Sequence, residues 1–565
     1  VTLTIASPAP DGQVVSLPAW IPGSYMIREF ARNIVQIRAE CEGRKIRLTK
    51  LDKHSWKAAR CDGPLQLHYE VYAWDLSVRA AHLDQTHGFF NGTSLFLRAE
   101  GFTDLPHSLE VVCPRDLPDW QLATGLTALR VDRHGFGTYQ AAHYDELADC
   151  PVEMGPFWSG EFRVAGSDYR FVVAGAPPSL DGERLLADTK RIVETQVRFW
   201  HGRGRAPHKQ YVFMLWAVAD GYGGLEHRNS TALIASRRDL PRLGEPRASD
   251  GYVTLLGLIS HEYFHTWNVK QLRPAEFTRY DYGHENYTQL LWFFEGFTSY
   301  YDDLFLRRCG LIDDATYLRL LTKTANQVLQ APGREVQSVA QASYDAWVKY
   351  YRQDENTPNA TISYYTKGAL VALCFDLTLR AEGRTTLDDV MRALWARCKG
   401  GPMTEADFAA VLKELGGRSF AKEIAAWIHG TRELPLEPLL LARGVNVSHD
   451  PSQLQQRLGL RSADSNGSVV VKAVLRGGAA EQAGFAPNDE WIGVEVGGQG
   501  GGQGWRLGKL DDLLLYAGAQ RKLTALVARD RRLLRLELVL PAVSTTWRLG
   551  LRDEPLARAW LSPAA

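Results

Sequence analysis

The chain has 565 residues, of which 45% are apolar, and its 65 Lys and Arg residues are balanced by 65 Asp and Glu residues. A mean hydropathy of −0.24 and an isoelectric point near 7.3 are typical of a globular protein and exclude a disordered or fibrous one. The zero net charge gives no support for nucleic acid or an anionic membrane as a chain-wide partner. No apolar run approaches the roughly 18 residues of a transmembrane helix, so no transmembrane segment is expected.

The first two predicted domains differ in their hydrophobic periodicity. Residues 1–165 contain short alternating or β-branched runs between glycine, proline and Asp-Gly turns, which predicts an N-terminal β-rich domain. In residues 166–432 the apolar positions follow helical spacing, except for one strand-like run at 211–219. The sequence therefore predicts a multidomain α+β fold with a mainly α middle domain.

The C-terminal part of the sequence is predicted to form a small β domain. The Pro- and Leu-rich segment 433–453 is predicted to be a linker, and 546–565 a C-terminal tail. Residues 454–545 resemble a PDZ domain of the bacterial protease-associated type. That resemblance implies a peptide-binding loop made of Leu458, Gly459 and Leu460, which would receive an extended peptide by β-addition.

The cysteines are widely spaced and include no CxxC pair. An odd number of seven argues against a dense disulfide framework or a thiolate zinc site. A reducing compartment, the cytoplasm, is therefore expected, and the periplasm is the alternative if the four cysteines of the first 150 residues pair. The seven are Cys41, Cys61, Cys113, Cys150, Cys309, Cys374 and Cys398.

An HExxH sequence at residues 261–265 is the strongest chemical signal, and it lies in the stretch Val253 to Val269, whose apolar spacing predicts a helix. Residues four apart lie above one another on a helix, so His261 and His265 can point two imidazoles at one metal ion. Glu262 lies about 100° round the helix, within reach of a water molecule at the metal. The alternative is a solvated surface helix, which the apolar residues around the motif disfavour.

A catalytic zinc site needs a third protein ligand, and Glu295 is the best candidate. It is surrounded by aromatic residues, and a carboxylate buried there requires a cation or another partner. A salt bridge to an arginine is the alternative. His284 and Glu285 are rival ligands in a polar segment. Asp302, two helical turns after Glu295, could accept the ring N–H of a ligand histidine or could be a surface charge.

Several blocks of this sequence resemble the gluzincin metallopeptidases, and among them the M61 family of glycyl aminopeptidases. The resemblance extends over nearly the whole chain. It implies an N-terminal β domain, a thermolysin-like zinc peptidase domain and a C-terminal PDZ domain. The blocks are SLPAWIPGSYMIREFARN (16–33), GFFNGTSLFL (88–97), DGYGGLEHRNS (220–230), HEYFHTWNVKQLRPAEF (261–277) and LLWFFEGFTSYYDDL (290–304).

The resemblance also implies roles for individual residues. His261, His265 and Glu295 would bind one Zn²⁺ ion, and Glu262 would be the general base. The related M1 aminopeptidases have a glycine-rich exopeptidase motif, to which Gly223-Gly224-Leu225-Glu226-His227 is similar. By that similarity Glu226 would bind the α-ammonium group of the substrate, with Gly223 and Gly224 beside it.

A second M1 motif is similar to Tyr365-Thr366-Lys367-Gly368. The resemblance implies that the Tyr365 phenol donates a hydrogen bond to the developing oxyanion, and a neutral donor suits that role. Tyr364 is an alternative one position away, and Tyr365 could instead be a core aromatic residue.

The resulting hypothesis is a zinc aminopeptidase that hydrolyses the first peptide bond of peptides with a free N-terminus. The family resemblance implies a preference for N-terminal Gly or Ala, and a C-terminal peptide is the expected partner of the PDZ domain. One alternative is a zinc endopeptidase whose PDZ domain captures substrates. An inactive peptide-binding scaffold is another, which the presence of all three ligands and the base disfavours.

Overall fold

The computed structural model describes residues 1–465, 467–497 and 502–562 of the chain. The chain forms two compact units. The first consists of Val1–Thr288, Tyr301–Ile312 and Met391–Phe408, and the second of Gln289–Tyr300, Asp313–Val390 and Ala409–Ala565. Among the described residues, no helix is both long and apolar enough to cross a membrane.

The N-terminal part of the first unit is β-rich, as predicted. Its strands form three sheets of four strands and one of three, in the orders β1-β7-β3-β4, β10-β2-β6-β5, β11-β14-β13 and β12-β15-β9-β8. Two short helices, α1 (Gly92–Leu95) and α2 (Tyr144–Ala148), lie between strands. The strands are β1 (Thr2–Ile5), β2 (Val14–Ser16), β3 (Ile34–Cys41), β4 (Arg44–Ile46), β5 (Leu48–Lys50), β6 (Ser55–Ala58), β7 (Leu65–Val71), β8 (Ala81–Leu83), β9 (Gly88–Phe90), β10 (Arg98–Ala99), β11 (His107–Val111), β12 (Gln121–Thr124), β13 (Thr127–Val131), β14 (Gly137–Ala141) and β15 (Val152–Gly155).

A disulfide between Cys41 and Cys61 links the end of β3 to the loop after β6. The other five cysteines are free thiols. A disulfide favours an oxidising compartment, in line with the periplasmic alternative, although the location in the cell remains a prediction.

A five-stranded sheet follows the N-terminal sheets in the first unit, in the order β16-β17-β18-β20-β19. Its strands are β16 (Phe157–Val164), β17 (Ser167–Ala174), β18 (Gln210–Val218), β19 (Tyr222–Glu226) and β20 (Ser230–Ser236). Strand β18 matches the predicted run at 211–219. It is almost entirely apolar because it runs parallel to both neighbours at the centre of the sheet. Strand β19 is an antiparallel edge strand.

Two long helices pack near this sheet: α3 (Gly182–His201) contacts β16 and α4 (Asp250–Phe264) contacts β19. The core of the first unit is continuous from the N-terminal sheets to this sheet, since Leu17 and Trp56 belong to the same apolar cluster as Val212 and Leu225. A two-stranded pair, β21 (Arg273–Pro274) with β22 (Pro402–Met403), completes the unit.

The middle of the chain is helical, as the spacing predicts. The remaining helices before the C-terminal region are α5 (Leu291–Phe294), α6 (Gly296–Arg308), α7 (Asp314–Leu329), α8 (Val339–Tyr344), α9 (Thr357–Ala360), α10 (Thr366–Glu382), α11 (Leu387–Cys398), α12 (Glu405–Gly416) and α13 (Ala421–Glu423), the last followed by a π-helical turn at Ile424–Ile428.

The C-terminal domain has its own core, which includes the fully buried Trp491. A sheet in the order β24-β25-β26-β28-β29, with β27 paired to β26, covers this core. The predicted PDZ resemblance remains a prediction. Residues 498–501 of the glycine-rich run lie outside the described residues. The elements are α14 (Leu436–Leu441), β23 (Val445–Pro451), α15 (Leu454–Leu458), β24 (Leu460–Ser465), β25 (Ser468–Val474), α16 (Ala479–Ala483), β26 (Glu490–Val496), β27 (Gln503–Arg506), α17 (Asp512–Ala517), β28 (Lys522–Arg529), β29 (Arg532–Val539), β30 (Thr545–Leu551) and α18 (Glu554–Leu561).

The segments predicted to be a linker and a tail contain regular structure. The linker includes α14 and β23, and β23 pairs with β30. The side chain of Asn326 on α7 donates from Nδ2 to Trp547 O on β30 at 2.8 Å, and its Oδ1 accepts from Trp547 N at 2.9 Å. In α18, the indole of Trp560 donates to the hydroxyl of Tyr300 at 3.0 Å. The last strand and helix therefore pack against the helices of the second unit.

Candidate active site

Helix α4 carries the HExxH sequence at its C-terminal end. Ser249 caps the other end, where its hydroxyl accepts a hydrogen bond from the backbone N–H of Tyr252. The helix ends at Phe264, several residues before the end of the predicted helical stretch at Val269. His265 is the C-cap residue, so the two histidines lie on the last turn and their rings are 4.7 Å apart.

Each histidine of the motif has an acceptor at Nδ1. His261 donates to the Asp302 carboxylate at 3.0 Å, and His265 donates to the backbone carbonyl of Asn268 at 2.7 Å. These bonds fix the ring orientation and select the tautomer in which Nε2 is unprotonated and able to coordinate a metal. Both histidines therefore have the arrangement expected of metal ligands, including the predicted contact with Asp302.

The carbonyl that orients His265 precedes a strained residue. Val269 has φ 131°, a value that a β-branched side chain rarely adopts. The chain reverses there instead of continuing the helix, which explains why the predicted helix is too long. The turn places Asn268 O beside His265 and Lys270 in the interior.

Strand β19 runs directly beside the predicted base. A Cβ atom at Gly224 would come within 2.1 Å of Oε1 of Glu262, so only glycine leaves room for the carboxylate. Gly223 on the same strand lies in a less crowded position. The glycines of the exopeptidase-like motif thus allow an edge strand to approach the base closely.

Glu226 ends β19 and is 5% exposed. The ligand atoms of Glu226, Glu262 and His265 all lie within 4.8 Å of one another, a spacing at which they could hold a cation. Two buried carboxylates this close repel each other and gain stability from a bound positive charge. Sequence analysis predicted roles for each of these residues but not their mutual spacing.

The N-terminal region also touches Glu226. A Cβ atom at Gly23, which has φ +88°, would lie 2.6 Å from both carboxylate oxygens of Glu226. Gly23 is part of the N-terminal block SLPAWIPGSYMIREFARN, to which sequence analysis gave no role. The sequence signal at this position is the Pro22-Gly23 pair, which predicts a turn but not a contact with Glu226.

A buried polar cluster lies behind Glu226 and was also missed. Lys270 Nζ donates to the Asp149 carboxylate at 2.8 Å and to the backbone carbonyl of Glu226 at 3.4 Å. The ring of His227 contacts the same carboxylate oxygen as Lys270, with Nδ1 3.0 Å from Oδ1. Burial raises the pKa of Asp149, but the charge of Lys270 and the hydrogen bond with His227 lower it by more. The pKa of Asp149 therefore lies below its ordinary value.

In the second unit, Glu295 lies between α5 and α6 and is 2% exposed. A Cβ atom at the following residue, Gly296, would come within 2.5 Å of the Cα atom of Gly368. The two glycines let α5 and α10 approach closely, and they belong to the two family-like motifs that contain Glu295 and Tyr365. The rival ligand His284 is exposed and contacts Asp281.

His261, His265 and Glu295 form a second candidate metal-binding group. Two imidazoles and one carboxylate are a ligand set typical of catalytic zinc. Glu295 immediately precedes helix α6, which carries Asp302 two turns later. The ligand assignment itself remains a prediction.

Four tyrosines cluster beside Glu295 in the second unit. Tyr365 stacks on Tyr364 and Tyr350, with ring centroids 4.8 and 5.4 Å apart, and its hydroxyl is 3.4 Å from that of Tyr351. Tyr364 is fully buried, whereas Tyr365 is partly exposed. Burial and then the Glu295 carboxylate raise the pKa of Tyr365 well above its ordinary value, so its hydroxyl remains a donor at neutral pH.

The predicted PDZ loop makes mostly internal hydrogen bonds. The N–H of Gly459 donates to Gln456 O at 3.2 Å, and its carbonyl accepts from Leu475 N at 2.8 Å. Leu458 and Leu460 are buried in the domain core. Peptide capture at this loop remains a prediction.

Comparisons with known proteins agree with this architecture. Residues 1–156 match the model of the peptidase M61 N-terminal domain, and residues 254–371 match that of the M61 glycyl aminopeptidase. A solved aminopeptidase N family protein from Idiomarina loihiensis is 36% identical and has a TM-score of 0.93, with 100% of this chain and 97% of that chain covered. A search of curated proteins found no match.

Two more distant structures are also similar to this chain. The M1 zinc metallopeptidase from Deinococcus radiodurans is 16% identical with a TM-score of 0.46, covering 77% of this chain and 90% of that one. Legionella pneumophila aminopeptidase A is 14% identical with a TM-score of 0.44, covering 76% of this chain and 47% of that one.

The chain belongs to the M61 peptidase family, as its sequence motifs predicted. It is therefore a metallopeptidase, and the prediction of an enzyme is confirmed. The β-rich N-terminal domain and the helical middle region are confirmed as well.

Proposed function

We propose that this protein is a zinc aminopeptidase that removes N-terminal residues from peptides, with a preference for Gly and Ala. The observation that carries the proposal is the spacing of Glu226, which lies within 4.8 Å of Glu262 and His265. A carboxylate at this distance from the base would bind the free α-ammonium group and place the first peptide bond at the base. The description of the matching family model, a glycyl aminopeptidase, supports the preference for a small residue.

The donor set fits one zinc ion. His261 and His265 would offer Nε2, because Nδ1 of each ring is held by Asp302 or Asn268 O. Glu295, almost fully buried, would supply the carboxylate that completes a three-ligand site. When bound, zinc supplies Lewis-acid polarisation and lowers the pKa of water.

The chain's own residues would divide the remaining work. The carboxylate of Glu262 lies against β19, where Gly224 leaves room for it. Glu262 would take a proton from water and deliver it to the leaving amine. Tyr365, kept protonated by its raised pKa, would donate a hydrogen bond to the carbonyl oxygen as it gains charge. Glu226 would keep the N-terminus in place throughout.

Paired substrates test this proposal. Purified zinc-loaded enzyme should hydrolyse Ala-Ala-Ala and should fail to hydrolyse N-acetyl-Ala-Ala-Ala, because acetylation removes the charge that Glu226 would bind. Equal cleavage of both peptides would contradict an aminopeptidase and favour the endopeptidase alternative. No cleavage of peptides by metal-loaded enzyme would favour the inactive scaffold.

A further inference from the structure

A polar cavity of about 770 Å³ lies within the first unit. It is bounded by β13, by the loop that leads into β18, by the turn between β19 and β20, and by residues 270, 271 and 273 after the HExxH helix. All of these segments belong to one compact unit, so the structure defines their relative positions. The volume is typical of a site for a small molecule, about 300 to 1,000 Å³.

Two side chains fix the walls of this cavity. Gln210 at the start of β18 donates to Gly125 O at 3.2 Å, and Asn229 before β20 donates to the same carbonyl at 2.7 Å. Gly125 lies in the turn between β12 and β13, so these bonds tie β13 to the beginnings of β18 and β20. The cavity is therefore formed before a ligand binds, which lowers the entropic cost of binding.

The residues that line the cavity carry positive charge. Within the described part of the chain, four lining residues are cationic and none is acidic. His208 also lines the cavity, but burial lowers the pKa of its ring to about 3, so it is neutral at pH 7. The four cations are Lys209, Arg228, Lys270 and Arg273.

Asp149, which is not a lining residue, compensates part of this charge. Its carboxylate accepts a hydrogen bond from Lys270 Nζ at 2.8 Å and lies 3.5 Å from Arg228 Nε. Burial lowers the pKa of Arg228, but the charges of Asp149 and, more weakly, of Glu146 raise it. These two acids therefore compensate at most the charges of Lys270 and Arg228.

Lys209 and Arg273 have no such compensation, because neither forms an ion pair with any residue that the structure describes. The N–H of Asp168 donates to Lys209 O at 2.9 Å, but the Asp168 carboxylate pairs with Arg163 at 2.8 Å. The guanidinium of Arg273 donates to the backbone carbonyl of Lys270, a contact that positions it without neutralising it. The cavity is therefore positive overall and favours an anion.

The arrangement of the cations indicates the class of anion. Lys209, Arg228 and Arg273 come from three separate segments, so a ligand that contacts all three needs anionic oxygens in several directions. Phosphates offer such oxygens, whereas a carboxylate has only two in one plane, and arginine binds phosphate through two parallel hydrogen bonds. The described lining includes no Phe, Tyr or Trp on which a nucleobase could stack.

We propose that this cavity binds the diphosphate group of a small molecule through Lys209, Arg228 and Arg273. The group could be free pyrophosphate or the phosphate chain of a nucleotide, and the experiments below separate these two sources. This site is distinct from the candidate active site, and the proposal does not depend on aminopeptidase activity.

Calorimetric titration of the zinc-loaded full chain with inorganic pyrophosphate, at low ionic strength, tests the proposal. The wild type should bind one pyrophosphate per chain, and Lys209→Gln/Arg273→Gln should raise Kd at least about 10-fold, the effect of losing hydrogen bonds to a charged group. Arg203→Gln/Arg205→Gln removes the same charge from exposed positions outside the lining and should bind like the wild type. Pyrophosphate held only at the zinc ion would bind all three proteins equally, and that result would overturn the proposal.

A second variant tests the cavity without removing a cation. Ala128 is an exposed lining residue on β13, and Ala128→Glu should raise the Kd of pyrophosphate at least about 10-fold, because it adds a negative charge to the cavity. Leu129→Glu adds the same charge at the next exposed position, which does not line the cavity, and should have a much smaller effect. Equal Kd values for these two variants would overturn the proposal.

Three other ligands identify the group that is recognised. ADP should bind about as tightly as pyrophosphate and adenosine should not bind, because the lining offers no aromatic ring to the base. Citrate, whose charges are on carboxylates, should bind more weakly than pyrophosphate. Binding of ADP but not of pyrophosphate would overturn the assignment to the diphosphate group, and citrate binding as tight as that of pyrophosphate would overturn the choice of phosphate.

Discussion

Nδ1 of His261 donates a hydrogen bond to the carboxylate of Asp302 at 3.0 Å. The backbone reinforces this contact, because the Ser260 hydroxyl donates to Asp302 O at 2.8 Å. Burial raises the pKa of Asp302, and the hydrogen bond with His261 acts against that increase. We therefore propose that Asp302 would act on a bound metal through the orientation of His261.

We expect Asp302→Asn to reduce zinc affinity by about 10- to 100-fold, the usual effect of losing a carboxylate that orients a ligand histidine. Competition with a metal chelator measures this affinity. Glu183→Gln, which changes an exposed carboxylate on α3, is the control and should bind zinc like the wild type. Wild-type zinc affinity in Asp302→Asn would show that Asp302 does not orient the ligand.

Gly23 and Gly43 give a matched pair of glycine substitutions. Gly23→Ala should lower kcat/KM for free peptides by at least about 10-fold, because the methyl group would overlap the carboxylate that holds the N-terminus. Gly43 also has a positive φ, +76°, but no atom lies within 4 Å of an added Cβ. Gly43→Ala should therefore show only the backbone strain, seen as a lower melting temperature with normal kcat/KM. Equal activity of the two variants would contradict the role of Gly23.

Tyr365→Phe should reduce kcat by about 100- to 1,000-fold with a small change in KM, since the hydroxyl would act mainly in the transition state. The buried neighbour Tyr364 provides the control, and Tyr364→Phe should retain most of the activity. The raised pKa of Tyr365 also predicts no loss of activity from phenol ionisation up to about pH 10. A larger loss of kcat in Tyr364→Phe than in Tyr365→Phe would assign the hydrogen-bond donor role to Tyr364 instead.

The buried pair of Asp149 and Lys270 predicts a pH-dependent stability. Lys270→Met should destabilise the fold by about 1.5 to 3 kcal/mol, because it removes the nearer cation of Asp149 and leaves Arg228 at 3.5 Å. Since the folded-state pKa of Asp149 is lowered, its stabilisation is present above the unfolded value of about 4 and is lost as the pH falls below it. Urea unfolding at pH 7 and pH 3 measures both effects. Lys209→Met, at an exposed position, should have little effect at either pH.

The disulfide between Cys41 and Cys61 spans 20 residues. Replacing both cysteines with serine should reduce the free energy of unfolding by about 3 kcal/mol, the entropic effect of a loop of this length. The free thiol Cys113 serves as the control, and Cys113→Ser should unfold like the wild type. Unchanged stability of the double variant would indicate that the disulfide does not form in the protein.

The sequence contained the local features of this site but few of its long-range contacts. Helix α4, strand β18 and the glycines of β19 follow from periodicity and from spacing within one segment. The contact between Gly23 and Glu226 joins distant positions, and so does the Lys270 to Asp149 ion pair, across 121 residues. No local pattern predicts which distant side chain fills a given space. The end of α4 was predicted too late because the strained Val269 turn depends on the hydrogen bond to His265.

The central claim is that His261, His265 and Glu295 hold one zinc ion while Glu262 acts as the base. Zinc content and alanine p-nitroanilide turnover, measured on the same preparation of Glu262→Gln, test it most directly. The account predicts one zinc ion per chain, as in the wild type, with turnover reduced at least 1,000-fold, roughly the effect of losing general-base catalysis. Wild-type turnover in the zinc-loaded variant would contradict it.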